Sequence, residues 1–80
     1  MPKLKSLPAK KVISIFVQLG FSVARQKGSH IKLVRETIGG RQVLTVPNHK
    51  ELDKGTLKGI YNQASPFVSD SDLRKHFYTE

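Results

Sequence analysis

The stretch Gln26-Lys27-Gly28-Ser29-His30-Ile31-Lys32-Leu33-Val34-Arg35 decides the fold. Its start is turn-forming and its remainder alternates. Ile31, Leu33 and Arg35 therefore fall on one side of a strand, and His30, Lys32 and Val34 on the other. Upstream, Phe21-Ser22-Val23-Ala24-Arg25 alternates apolar with smaller or polar residues and reads as a partner strand, with Gln26 to Ser29 as the turn. Downstream, Gly39-Gly40 breaks the chain, and Arg41 to Val46 read as a third strand. Opposed residues of an antiparallel pair share a face, so Ile31 and Leu33 should meet Leu44 and Val46. That register puts His30 opposite Pro47 or His49, on the face away from the apolar rows, and makes His30 and His49 neighbours.

The flanks read as helices. Val12, Ile13, Phe16, Val17 and Leu19 have three-to-four spacing over about residues 8–19, with Pro8 near the first turn and Gly20 as terminator. A second helix runs from Asp53 to Ala64, with Asp53 or Thr56 as cap, Leu57, Ile60, Tyr61 and Ala64 on one side, and Gly59 weakening it. Ser65-Pro66 ends it. Ser69-Asp70 then caps a short last helix carrying Leu73 and Phe77. The expected fold is α+β, a two-layer α-β-β-β-α domain with helices on one face of a three-stranded antiparallel sheet and the other face open.

Composition narrows the function. The 80 residues, 38% of them apolar, make one domain over 1–80. A chain this short buries only about 60% of its extended surface, so its chemistry belongs on a surface or shallow groove rather than in a large enclosed pocket. With no cysteine there are no disulfides, thiolate metal sites or cysteine nucleophiles, and a reducing cytoplasmic setting is expected. The net charge of +8 calls for a polyanion, either nucleic acid or an acidic protein. It is concentrated: residues 1–35 hold eight lysines and arginines and no acid, while residues 36–80 hold six of each sign. Residues 12–24 loosely imitate a secretory signal, but Ser14 and Gln18 interrupt the apolar run, and it is too short to span a bilayer.

The candidate site is the basic turn that delivers a histidine onto a strand. Gly28 lets the backbone turn tightly and approach a phosphate. Arg25 and Lys27 place charge beside the imidazole of His30, whose unperturbed pKa of about 6.5 suits proton transfer. Ser29 either bonds a phosphate or satisfies the turn backbone, and Lys32 shares the face of His30. His49 has two readings: a second proton-transfer group, or a residue that caps or packs the loop before the second helix. His30, His49 and Asp53 have no recognised metal spacing, and Lys50 and Lys54 sit among them, so no cofactor or metal is expected.

The chain resembles the HicA family of toxin ribonucleases over almost its whole length. The resemblance lies in Leu19-Gly20-Phe21, Arg25-Gln26-Lys27-Gly28-Ser29-His30, Val46-Pro47-Asn48-His49 and Lys54-Gly55-Thr56-Leu57 before Ile60, in that order. It implies a fold like that of double-stranded-RNA-binding domains, cleavage of messenger RNA, and neutralisation by a HicB-like antitoxin. It also implies that the histidine of the Gly-Ser-His turn, His30 here, is catalytic. After Ala64 the sequence departs from family habit, with Ser65-Pro66-Phe67 in place of a Gly-Leu-Ser-like link. The other function class consistent with the residues is an RNA-binding module without chemistry.

Overall fold

Alternation in the middle of the chain and helical spacing on either side produce the expected layers. This computed structural model describes residues 3–79. Its elements are β1 (Lys3–Leu4), α1 (Ala9–Gln18), β2 (Ser22–Lys27), β3 (His30–Thr37), β4 (Gly40–Pro47), α2 (Lys54–Ala64), α3 (Asp70–Phe77) and β5 (Tyr78–Thr79). Strands β2, β3 and β4 form an antiparallel sheet in that order. Its inner rows, Ile31 and Leu33 on β3 with Leu44 and Val46 on β4, join one core with Val12, Ile15 and Phe16 of α1, Leu57, Ile60 and Ala64 of α2, and Leu73 and Phe77 of α3. Burying each large side chain in this layer contributes roughly 1.5–3 kcal/mol.

Local signals explain the helix ends. Pro8 is the N-cap of α1, and Gly20 follows its C-cap with φ +100°. The amide of Gly20 donates to Val17 O at 3.1 Å and that of Phe21 to Phe16 O at 2.9 Å. This double closure is the Schellman motif, completed by the edge-to-face rings of Phe16 and Phe21, 5.7 Å apart. Asp53 caps α2 by accepting from the Thr56 amide at 2.7 Å, and Ser69 caps α3 by accepting from the Asp72 amide at 3.2 Å. The phenol of Tyr61 donates to Asp70 at 2.6 Å and ties α2 to the start of α3.

The β3–β4 register is the first of the two expected: Ile31 faces Val46, Leu33 faces Leu44 and His30 faces Pro47. Three details differ from the expectation. The first hairpin turn is tighter, two residues long, so Gln26 and Lys27 belong to β2 and Lys27 pairs directly with His30. Gly28 has φ +58° and Ser29 does not have positive φ, the pattern of a type II′ turn, whose twist matches the flanking strands. The second turn is Ile38-Gly39, with Ile38 fully exposed and Gly40 already inside β4. Third, a bulge lies between Val23 and Arg25. Unbroken alternation would put Val23, Arg25 and Lys27 on one face. The bulge opposes Val23 to inward Leu33 while Arg25 and Lys27 stay with the outward residues.

Two features lay outside the sequence reading. Near the chain ends β1 and β5 pair as a short ribbon, Lys3 with Thr79 and Leu4 with Tyr78. The free edge of β4 is closed by a side chain: Gln63 accepts from the Thr45 amide at 2.9 Å and donates to the Thr45 carbonyl at 3.3 Å. An amide group thus stands in for a neighbouring strand and blocks edge pairing there.

Candidate active site

The first hairpin builds the site. Its tight turn sets Lys27 opposite His30, and the next outward rung sets Arg25 opposite Lys32. Directly opposed like charges destabilise a sheet, so the Arg25–Lys32 rung weakens the hairpin unless an anion is bound across it. Beyond Lys32 lies Thr45 on β4. Together Arg25, Lys27, His30, Lys32 and Thr45 line an open hollow of about 230 Å³, and all five residues are exposed.

The electrostatics favour an anion. Among the described residues the one ion pair joins Arg41 to Glu36 at 2.6 Å, toward the far end of the β3–β4 hairpin. Arg25, Lys27 and Lys32 therefore have no carboxylate partner, and no protein hydrogen bond among the described residues ties down the His30 imidazole. Gly28 supplies the positive φ that the turn needs, as expected, and a Cβ there would touch nothing within 4 Å. The carbonyl of Ser29 accepts from the Asn48 amide at 2.6 Å, a backbone contact that anchors the turn against the loop after β4.

His49 stands apart. It lines a different hollow with Pro8, Lys10, Asn48 and Lys50, and its carbonyl accepts from the Ala9 amide at 3.2 Å. The sheet brings the two histidine-bearing segments to one end, but the imidazoles serve separate depressions. Nearby Asp53 has its carboxyl held below the usual range, chiefly by the hydrogen bond from Thr56 and in smaller part by His49. Among the described residues no group of three His, Asp or Glu side chains is gathered closely enough to hold a metal ion.

Arg35 is the residue whose role the sequence concealed. It counts among the eight basic residues of the first 35, and it lies on the helix-covered side of β3, half-buried. Its guanidinium donates to Leu19 O at 2.8 Å, Phe67 O at 2.7 Å and Gln42 Oε1 at 2.7 Å, and lies 4.7 Å from the centre of the Phe21 ring. The signal was its shared parity with Ile31 and Leu33: a cation on an apolar row needs buried acceptors.

Comparison with family models matches residues 9–65 to the HicA toxin of bacterial toxin–antitoxin. The chain belongs to the HicA toxin family. It is thus the toxin of a toxin–antitoxin pair, with an antitoxin as partner. Comparisons with curated proteins and with solved structures give no match. The matched span holds α1, the whole sheet, α2 and every residue of the His30 hollow, while α3 and the β1–β5 ribbon fall outside it. Its end falls at the start of the Ser65-Pro66-Phe67 link. No helix among the described residues is long and apolar enough to cross a membrane.

Proposed function

We propose that this HicA toxin is an endoribonuclease that cleaves messenger RNA at the His30 hollow and is neutralised by a HicB-like antitoxin. The observation that carries the reading is an exposed histidine directly across from Lys27, beside an Arg25–Lys32 rung that no carboxylate among the described residues neutralises. RNA contains its own nucleophile. The 2′-oxygen attacks the adjacent phosphorus as its proton leaves, the bond to the 5′-oxygen breaks, and that oxygen takes up a proton; the products are a cyclic phosphate and a 5′-hydroxyl. His30 performs one of these two proton transfers. Lys27, Arg25 and Lys32 stabilise the charge that grows on the phosphate, the kind of preorganised contribution that is usually largest. Gly28 and Ser29 support the site by fixing the turn.

His30→Ala is the test. Purified wild-type toxin should cut RNA in the presence of excess chelator. The variant should lose about 10²–10⁴-fold in rate, the usual share of general acid–base catalysis, with RNA affinity nearly retained. Equal cleavage by both proteins removes His30 from the chemistry. Binding without cleavage by wild type leaves an RNA-binding module.

A further inference from the structure

We infer that the hollow formed by Pro8, Lys10, Asn48, His49 and Lys50 is a second nucleotide subsite, which holds a neighbouring residue of the single-stranded RNA engaged at His30. The inference rests on the RNA reading of the first hollow and adds where the strand continues. The depression measures about 310 Å³ and combines two lysines, a side-chain amide, an imidazole and a proline ring. Lys10 and Lys50 have no ion-pair partner among the described residues. Asp53, the acid near His49, has its carboxylate engaged by the Thr56 amide.

The position matters as much as the chemistry. Pro47 pairs with His30, and Asn48, the next residue, donates its amide to Ser29 O at 2.6 Å. One contact therefore fastens the two hollows side by side. On the other flank the Ala9 amide donates to His49 O, fixing the loop against α1. The start of α1 adds little by itself, since Pro8 has no amide proton and that of Ala9 is already taken. The side chains define the ligand: Lys10 and Lys50 each take a backbone phosphate, and the His49 and Pro8 rings give a base a flat surface. Stacking of this kind selects unpaired strands over duplex.

The experiment measures binding of a 2′-O-methyl oligoribonucleotide of about ten nucleotides, which cannot be cut, across a range of salt. For single strands each lost phosphate contact flattens the log–log salt slope by about 0.7, so Lys10→Gln with Lys50→Gln should flatten it by about 1.4. The charge-matched pair Lys58→Gln with Lys75→Gln, on α2 and α3 behind the sheet, should leave the slope near that of wild type. His49→Ala should weaken binding about tenfold with little salt dependence, and His49→Phe should restore it. Equal slopes for wild type and the Lys10/Lys50 variant, equal flattening by the control pair, or wild-type affinity in His49→Ala would overturn the second subsite and leave the first intact. Wild-type toxin that fails to bind the oligonucleotide at any salt overturns the RNA reading itself, and this inference with it.

Discussion

Arg35 and Leu19 are joined across the two layers of the toxin: Nη1 of the guanidinium on β3 donates to the last carbonyl of the α1 cap at 2.8 Å. The contact puts a cation at a helix C-terminus, where the macrodipole favours it. The same side chain reaches Phe67 O in the α2–α3 link and Gln42 on β4, so one residue connects the end of α1 and that link to the sheet. A Cβ on Gly20 would approach Arg35 Cδ to 3.2 Å, so the glycine at this helix end makes room for the guanidinium as well as supplying positive φ.

Arg35→Ala should therefore destabilise the toxin severely. Leaving half-buried carbonyls unpaired costs about 1–3 kcal/mol each, and a domain of this size loses roughly 4–8 °C of Tm per kcal/mol, so a fall of at least about 10 °C is expected. Arg35→Lys should rescue little, because an ammonium cannot reach three acceptors in a planar fork or lie flat on Phe21. Thermal unfolding followed by circular dichroism measures both; a Tm within a few degrees of wild type for either variant contradicts the clamp.

Arg35 also marks how far the sequence could be read. Strand alternation, the Gly20 terminator and the Asp53 and Ser69 caps are local signals, and they located the three helices and narrowed the β3–β4 register to two. The bulge at residue 24, the β1–β5 ribbon and the Gln63 edge cap depend on contacts between distant segments, and two-residue strands have no period to detect. The His30 hollow was legible because its residues sit on adjoining strands joined by a tight turn. The separation of His49 was not, because its place is set by the loop after Pro47 and by α1.

Gly28 offers a test of the turn without side-chain clashes, since a methyl group there meets only open space. Gly28→Ala exposes the backbone strain alone, roughly 1–3 kcal/mol at a positive φ. Tm should drop and RNA cleavage should fall with it, as Lys27 and His30 lose their pairing. Chemical synthesis with D-alanine at position 28, which prefers positive φ, should restore both. If the L- and D-alanine proteins behave alike, the turn geometry is not what the site needs.

The division of labour among the cations is measurable. Lys27 is paired directly with His30, and in the proposed reaction it stabilises the charge that develops on the phosphate, so Lys27→Met should lower kcat by about 10², the lower end for loss of one preorganised donor, with a small change in KM. Lys32, one rung removed and beside Thr45, should chiefly raise KM when changed to Met. Steady-state cleavage of a fluorogenic oligoribonucleotide separates the two. Matching effects on kcat and KM in both variants would erase the distinction.

The Asp53 cap gives a pH signature. Its carboxyl is held below 3.8 in the folded chain, first by the Thr56 hydrogen bond. A depressed folded pKa means stabilisation that is present above about pH 3.8 and lost as pH falls through the folded value. Asp53→Asn keeps the cap geometry without the charge. Wild type should melt higher than this variant near neutral pH, and the two Tm curves should converge as the pH is taken down from about 4. A difference that persists unchanged at low pH would mean the carboxylate charge is not involved.

The antitoxin should occupy the same open face as RNA. The uncovered side of the sheet continues from the Arg25–Lys32 rung to Val34 paired with Val43, two half-buried apolar residues that give a protein partner an anchor where RNA gains nothing from them. An acidic antitoxin laid across both would cover His30 through contacts that also displace RNA. Val34→Asp should then weaken the complex at least about tenfold, since an anchor at the centre of an interface often contributes 2 kcal/mol or more. The same variant should still bind RNA, so cells making it should arrest even when antitoxin is supplied. Titration calorimetry with the antitoxin and competition against labelled RNA measure the two sides. A ternary complex, with RNA and antitoxin bound at once and His30 open to solvent, is the result that defeats occlusion.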